Sequence, residues 1–135
     1  MTKLILIRHG QSMANATNRF AGHSDFDLSD LGFHQARLAA KYITEHFKID
    51  AIYASDLLRA YNTAVPTAEA LGLPIHKSKQ LREIFAGAWE SKEFSEIQET
   101  FKKDFDVWKN NFSFARCTDG ESVAELYARV CRSLV

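Results

Sequence analysis

Lys3-Leu4-Ile5-Leu6-Ile7-Arg8-His9-Gly10 is a continuous apolar run that stops abruptly at a cation, an imidazole and a glycine. Leucine and isoleucine without polar alternation suit a strand buried on both faces, the usual state of a strand in a parallel sheet. Beyond it, Gln11 to Leu28 is rich in Asn, Ser, Asp and Gly and reads as a loop with one short helical turn. Ser29 or Asp30 offers a cap for a helix whose apolar stripe, Leu31, Ala36, Ala39, Ala40, Ile43 and Phe47, carries it to about Phe47. Asp50 to Ala54 is a second short apolar run. Ser55-Asp56 then lead into a helix that reaches Leu71, where Gly72 and Pro74 stop it. A third strand is predicted near Leu73 to Ser78. Phe94, Ile97, Phe101, Phe105, Trp108 and Phe112 recur at steps of three and four, which predicts one amphipathic helix from Ser91 to about Asn111. A last helix begins at Glu121-Ser122 and runs through Val123, Leu126, Val130 and Leu134 to the end of the chain. Strand, loop, helix, strand, helix is the order of a layered α/β domain, and no repeat or linker interrupts it.

At 135 residues the chain has the size of one domain, which buries roughly two-thirds of the surface its unfolded form exposes. With 17 basic and 17 acidic residues it carries no overall field to recruit nucleic acid or an anionic membrane, so any anion binding is local. The four-residue apolar run before Arg8 is too short for a signal-peptide core or a membrane span. Cys117 and Cys131 form no C-x-x-C pair and read as free thiols, which suits a reducing, cytoplasmic setting.

A strand ending in Arg8-His9-Gly10 sets a cation, an imidazole and a flexible backbone amide at the carboxyl edge of a sheet, where ligands bind in open α/β folds. Those groups suit a phosphate. Arg59, in Ser55-Asp56-Leu57-Leu58-Arg59-Ala60, lies in the first turn of the helix after the second strand, where a guanidinium and a helix N-terminus can face the same anion. Glu83, in Leu81-Arg82-Glu83-Ile84-Phe85, is a carboxylate flanked by apolar residues, a setting that suits a proton donor.

Leu6-Ile7-Arg8-His9-Gly10-Gln11-Ser12 with Asn15, then Phe20-x-Gly22-x-x-Asp25-x-x-Leu28-Ser29 with Gly32, then the segments around Arg59, Glu83 and Gly120-Glu121-Ser122, resemble in order and spacing the histidine phosphatase superfamily. That family includes the cofactor-dependent phosphoglycerate mutases and many small phosphatases. The resemblance implies a three-layer α/β/α phosphoglycerate mutase-like fold with a mostly parallel central sheet. It implies that His9 is the nucleophile that becomes phosphohistidine, that Arg8 and Arg59 bind the phosphoryl oxygens, and that Ser12 and Asn15 line the same phosphate pocket. Glu83 falls where the family keeps its proton donor. A small phosphorylated metabolite is the expected partner, with no cofactor or metal. The chemistry agrees: a neutral imidazole is a competent nucleophile, and phosphoryl transfer needs mainly positioned positive charge.

Family members carry a second histidine at the end of a later strand, and here no histidine follows His76. The expectation is a single domain over 1–135 whose C-terminal part is missing. Loss of that histidine would cost about two to three orders of magnitude in rate, by analogy with one oxyanion donor. An unpaired sheet edge would favour self-association. His76 reads as a solvent-facing edge-strand residue, and His23, His34 and His46 as loop or helix-surface residues.

Asp25-Phe26-Asp27-Leu28-Ser29 superficially fits a magnesium-dependent aspartate nucleophile motif, but Ala21-Gly22-His23-Ser24, not a strand, precedes it. A cysteine phosphatase needs an arginine six residues after its cysteine, and Val123 stands there after Cys117. Two alternatives to a phosphatase stay open: phosphoglycerate mutase-type transfer, disfavoured by the compact segment after Trp89-Glu90, and an inactive phosphate-binding or interaction module. The aromatic stripe from Phe94 to Phe112 is expected to pack on the domain rather than to act as a lid.

Overall fold

A computed structural model describes residues 1–134. It contains helices α1 (Met13–Ala16), α2 (Asp30–His46), α3 (Leu58–Leu71), α4 (Phe94–Thr100), α5 (Lys102–Asn110) and α6 (Val123–Ser133), with strands β1 (Ile52–Ala54) and β2 (Ile75–Lys77). The strands flank α3 in sequence and pair in parallel, Ile52 with Ile75 and Ala54 with Lys77. The expected α/β order with parallel pairing is present, in a small sheet.

Helix α2 starts where Ser29 caps it, its hydroxyl accepting from the Gly32 amide at 3.1 Å, with Asp30 in the first turn against the helix dipole. Its buried stripe, Gly32, Ala36, Ala40 and Ile43, is small, which brings α2 close to α3. Helix α3 ends at Gly72, whose φ of +64° only glycine adopts without cost, and the Leu73 amide returns to the Ala68 carbonyl at 3.1 Å. The buried face of α3 is polar: Arg59, Thr63 and Thr67, with Ala68. This polarity carries the site described below.

The second packing centre is aromatic. Trp89, fully buried, meets Phe20, Phe105 and Trp108 edge-on at centroid distances of 5.7, 5.9 and 5.6 Å. Its indole N–H donates to Thr118 Oγ1 at 3.0 Å, and Thr118 donates to Asp104 at 2.7 Å. Ile84, Ala86, Ile97 and Cys117 complete the cluster.

Two expectations are corrected. Lys3 to Ile7 is not a buried strand: it enters no ladder, and Leu4, Leu6 and Ile7 are exposed. A strand exists only through its partners, and the described sheet pairs β1 with β2 alone. Nor is Ser91 to Asn111 one helix. Ser91 has a φ of +63°, which excludes helix there, so α4 begins at Phe94, and the chain breaks at Phe101 (φ −119°, ψ 40°) before α5. The break lets Phe94, Phe101, Phe105 and Trp108 all pack against the Phe20–Trp89 core, as the stripe predicted. Helix α6 is capped as expected, Ser122 and Glu125 forming a reciprocal capping box; the end of its expected run, Val135, lies outside the described residues. Among the described residues no helix is long and apolar enough to cross a membrane.

Candidate active site

Arg8, His9, Ser12, Asn15, Arg59 and Glu83 all line one cavity of about 230 Å³. These six residues lie up to 75 positions apart in sequence, from Arg8 to Glu83, and converge here because three loops meet over the start of α3.

His9 follows the extended N-terminal segment. Its Nδ1 lies 2.6 Å from the Gly10 carbonyl oxygen, a contact that only Nδ1–H can make, so the ring is held as the tautomer whose Nε2 carries the lone pair. Burial pushes the His9 pKa below its ordinary value; the Gly10 carbonyl opposes the shift, while the charges of Arg59 and Arg8 add to it. Gly10 lies against α2, where a Cβ would meet the Gly32 backbone. Its amide donates to Thr63 Oγ1 at 3.1 Å, and Thr63 in turn donates to the Arg59 carbonyl at 2.7 Å. The His9–Gly10 loop and the first turn of α3 are thus tied through one threonine.

Arg59 is 2% exposed. Its Nη2 donates to the Gly22 carbonyl at 2.7 Å and its Nη1 to the Ser24 carbonyl at 2.9 Å. These are neutral acceptors, so the guanidinium keeps its charge uncompensated by contact and has further N–H groups for an anion. Burial lowers its pKa, against the opposing charges of Glu83, Asp25 and Glu90.

Ser12 and Asn15 cap α1 reciprocally. Asn15 Oδ1 accepts from the Ser12 amide at 3.0 Å and from Ser12 Oγ at 2.9 Å, while Ser12 Oγ accepts from the Asn15 amide at 3.1 Å. The Ser12 hydroxyl is therefore engaged in both directions and shapes the wall, whereas the Asn15 side-chain amide N–H₂ remains to donate.

Glu83 also lines the cavity and is exposed, its Oε1 accepting from the Ile84 amide at 2.8 Å. Its backbone is pinned. Arg129 of α6 donates to the carbonyls of Gln80, Arg82 and Glu83 at 2.8, 2.9 and 3.1 Å and pairs with Glu121. Arg82 forms a two-point ion pair with Asp56, just ahead of α3. His23 Nε2 also lies 2.9 Å from the Glu83 carbonyl, so this histidine, read from the sequence as a loop residue, helps to fix the carboxylate-bearing segment.

The structure adds lining residues that the sequence reading did not select: Arg19, Phe20, Gly22, Phe94 and Trp108. Arg19 donates to the Ser91 carbonyl and to Glu93, at 2.8 and 3.0 Å. The Phe20-x-Gly22-x-x-Asp25 signature held part of this information. Its Asp25 accepts from the Leu58 amide at 2.7 Å, capping α3 where Leu57 cannot. No cluster of metal-ligating side chains occurs among the described residues.

A family model described as histidine phosphatase superfamily (branch 1) matches residues 4–134. The chain is 40% identical to phosphoserine phosphatase 1 of Hydrogenobacter thermophilus, over 96% of this chain and 61% of that protein. It is 34% identical to a probable phosphoglycerate mutase, GpmB, of Yersinia pestis, over 99% of this chain and 62% of that protein. A mycobacterial glucosyl-3-phosphoglycerate phosphatase, solved in complex with VO3, superposes with a TM-score of 0.85 at 32% identity, over 93% of this chain and 62% of that one. The chain thus spans about three-fifths of the length of these relatives, and its parallel α/β arrangement is the phosphoglycerate mutase-like fold.

Proposed function

The chain belongs to the histidine phosphatase superfamily, branch 1, and on that premise we propose that it hydrolyses small phosphate monoesters through a phosphohistidine on His9. The observation that carries the reading is the tautomer lock. With Nδ1–H committed to the Gly10 carbonyl and burial disfavouring the charged ring, Nε2 offers a lone pair near neutral pH.

Nε2 attacks phosphorus as the ester P–O bond breaks, and Glu83 delivers its proton to the departing alkoxide. Arg8, Arg59 and the Asn15 amide hold the equatorial oxygens, whose charge grows in the transition state. Glu83, now a carboxylate, then takes a proton from water as that oxygen attacks phosphorus. The N–P bond breaks, leaving inorganic phosphate and a neutral imidazole.

The cavity, at about 230 Å³, suits a small metabolite, and the edges of Phe20, Phe94 and Trp108 give its leaving group an apolar wall. Phosphoserine and a glucosylated phosphoglycerate, named in two relatives, are the first esters to try. The free thiols Cys117 and Cys131 support a reducing, cytoplasmic setting. Phosphoryl transfer to an acceptor alcohol is the second reading, favoured by the mutase-named relative.

The test is phosphate release from a panel of monoesters without added metal, by the chain and by His9→Ala. Release abolished in His9→Ala supports the mechanism, and release unaffected by it removes His9 from the chemistry. Supplying 2- and 3-phosphoglycerate and following their interconversion separates transfer from hydrolysis.

A further inference from the structure

Glu90 follows Trp89, outside the cavity wall, and its carboxylate is a hub. Oε1 accepts from the amides of His23 and Ala86 at 2.8 and 2.9 Å; Oε2 accepts from the amide of Ser24 at 2.8 Å and from the Ser24 hydroxyl. Ser91 Oγ donates to Ser24 Oγ at 2.8 Å. Gly22 adopts a φ of +53°, and any Cβ there would overlap Glu90 Oε1, so the loop is moulded directly onto this side chain.

The same loop holds Arg59. The Gly22 carbonyl and the His23 amide are the two ends of a single peptide group: the carbonyl accepts from Arg59 at 2.7 Å while the N–H donates to Glu90 at 2.8 Å. Ser24 also touches both, through two successive peptides: its amide donates to Glu90 and its carbonyl accepts from Arg59. Hydrogen bonds in series polarise one another, and the Gly22–His23 peptide joins a carboxylate to a guanidinium without the two touching.

We propose that Glu90 is a positioning residue for Arg59, fixing through the Gly22–His23 peptide and the Ser24 backbone where the buried guanidinium stands in the cavity it shares with His9. The proposal rests on the reading of Arg59 as the phosphate-binding arginine. Glu90→Gln preserves size but turns one acceptor into an N–H₂ donor, which then faces backbone N–H groups that can only donate. The carbonyls that orient Arg59 shift with the loop, and a misplacement of about 1 Å costs on the order of 100-fold in rate.

Two measurements decide it. The Arg59 side-chain N–H resonances, assigned by their loss in Arg59→Lys, should be resolved in the ¹⁵N-arginine-labelled chain and should collapse in Glu90→Gln. Unchanged resonances in folded Glu90→Gln overturn the proposal; should that variant fail to fold, Ser24→Ala, which removes one hydroxyl contact to Glu90, must move the same signals or the proposal falls. In the rate assay Glu90→Gln should lose about 100-fold in kcat with KM within about threefold, yet lose less than about threefold when added to Arg59→Ala, because residues acting through one another are not additive. Equal losses in both backgrounds would show a general structural role and overturn it. A chain that hydrolyses no ester removes the phosphatase reading alone, since the resonances still report whether Glu90 positions Arg59.

Discussion

Replacing Arg59 by lysine conserves charge and approximate length, and so isolates the planar fork. The side chain is 2% exposed and spans the Gly22 and Ser24 carbonyls at 2.7 and 2.9 Å. An ammonium is a single point on a flexible stem and cannot hold both carbonyls and present a second face to a phosphate. At least one buried carbonyl then loses a charged donor, at about 1–3 kcal/mol, equivalent to a fall of roughly 3–15 °C in Tm for a domain of this size. The catalytic loss expected from the proposed role of Arg59 is larger, because its phosphate contact would be made where charge develops: about 10²- to 10³-fold in kcat/KM, as for one oxyanion donor. Initial rates of phosphate release, together with thermal unfolding followed by tryptophan fluorescence, measure both. A lysine variant within threefold of the parent in kcat/KM would refute the assignment, whatever its Tm.

Three further outcomes follow from the same geometry. Because burial and the neighbouring arginines lower the His9 pKa, and the neutral ring is the proposed nucleophile, the acid limb of kcat/KM should fall below the ordinary histidine value of about 6.5; Arg8→Met should move it upward, and a limb at or above that value in the parent would contradict the proposed charge state. The hydrogen bond from Arg82, aided by its charge, holds the Asp56 pKa below the usual carboxylate range, so the pair contributes stability above about pH 4 that is lost as pH falls through the depressed value. Urea midpoints at pH 7 and pH 3 should therefore differ less in Asp56→Asn than in the parent. Gly32→Ala has no space for its methyl group against the Gln11 carbonyl and should cost about 1–3 kcal/mol, read as a lower urea midpoint with an unchanged m-value.

What the sequence made legible was local. Ser29, Gly72 and Ser122 are caps whose chemistry acts within a few residues, and α2, α3 and α6 begin and end beside them. The aromatic stripe showed that α4 and α5 pack inward but not that Phe101 breaks them, because a three-and-four spacing continues across the bend. Lys3 to Ile7 was misread because hydrophobicity reports the wish to be buried, while a strand needs a neighbour that periodicity does not identify. The six candidate residues that line the cavity were legible as motifs. Glu90, Arg19 and His23 were not, because their work is done through backbone groups of distant loops, and backbone acceptors leave no pattern in the sequence.

The charge pattern explains how a chain with no net charge can favour an anion at one place. Arg19, Arg82, Arg116 and Arg129 are each matched by a carboxylate within 3.0 Å, from Glu93, Asp56, Glu125 and Glu121 respectively. Their charges close locally and serve to tie segments together. Among the described residues Arg8 and Arg59, like Arg37 and Arg132, have no such ion pair, and of these four only Arg8 and Arg59 line the cavity beside His9. Arg59 is oriented by carbonyls instead, which satisfy its geometry without neutralising it, and the carboxylate that organises those carbonyls, Glu90, is held one peptide away. Direct contact between Glu90 and Arg59 would have spent the guanidinium on a protein carboxylate. Inserting a peptide between them holds the arginine in place and leaves its charge for an anion, which is the property the proposed phosphate site in a neutral protein requires.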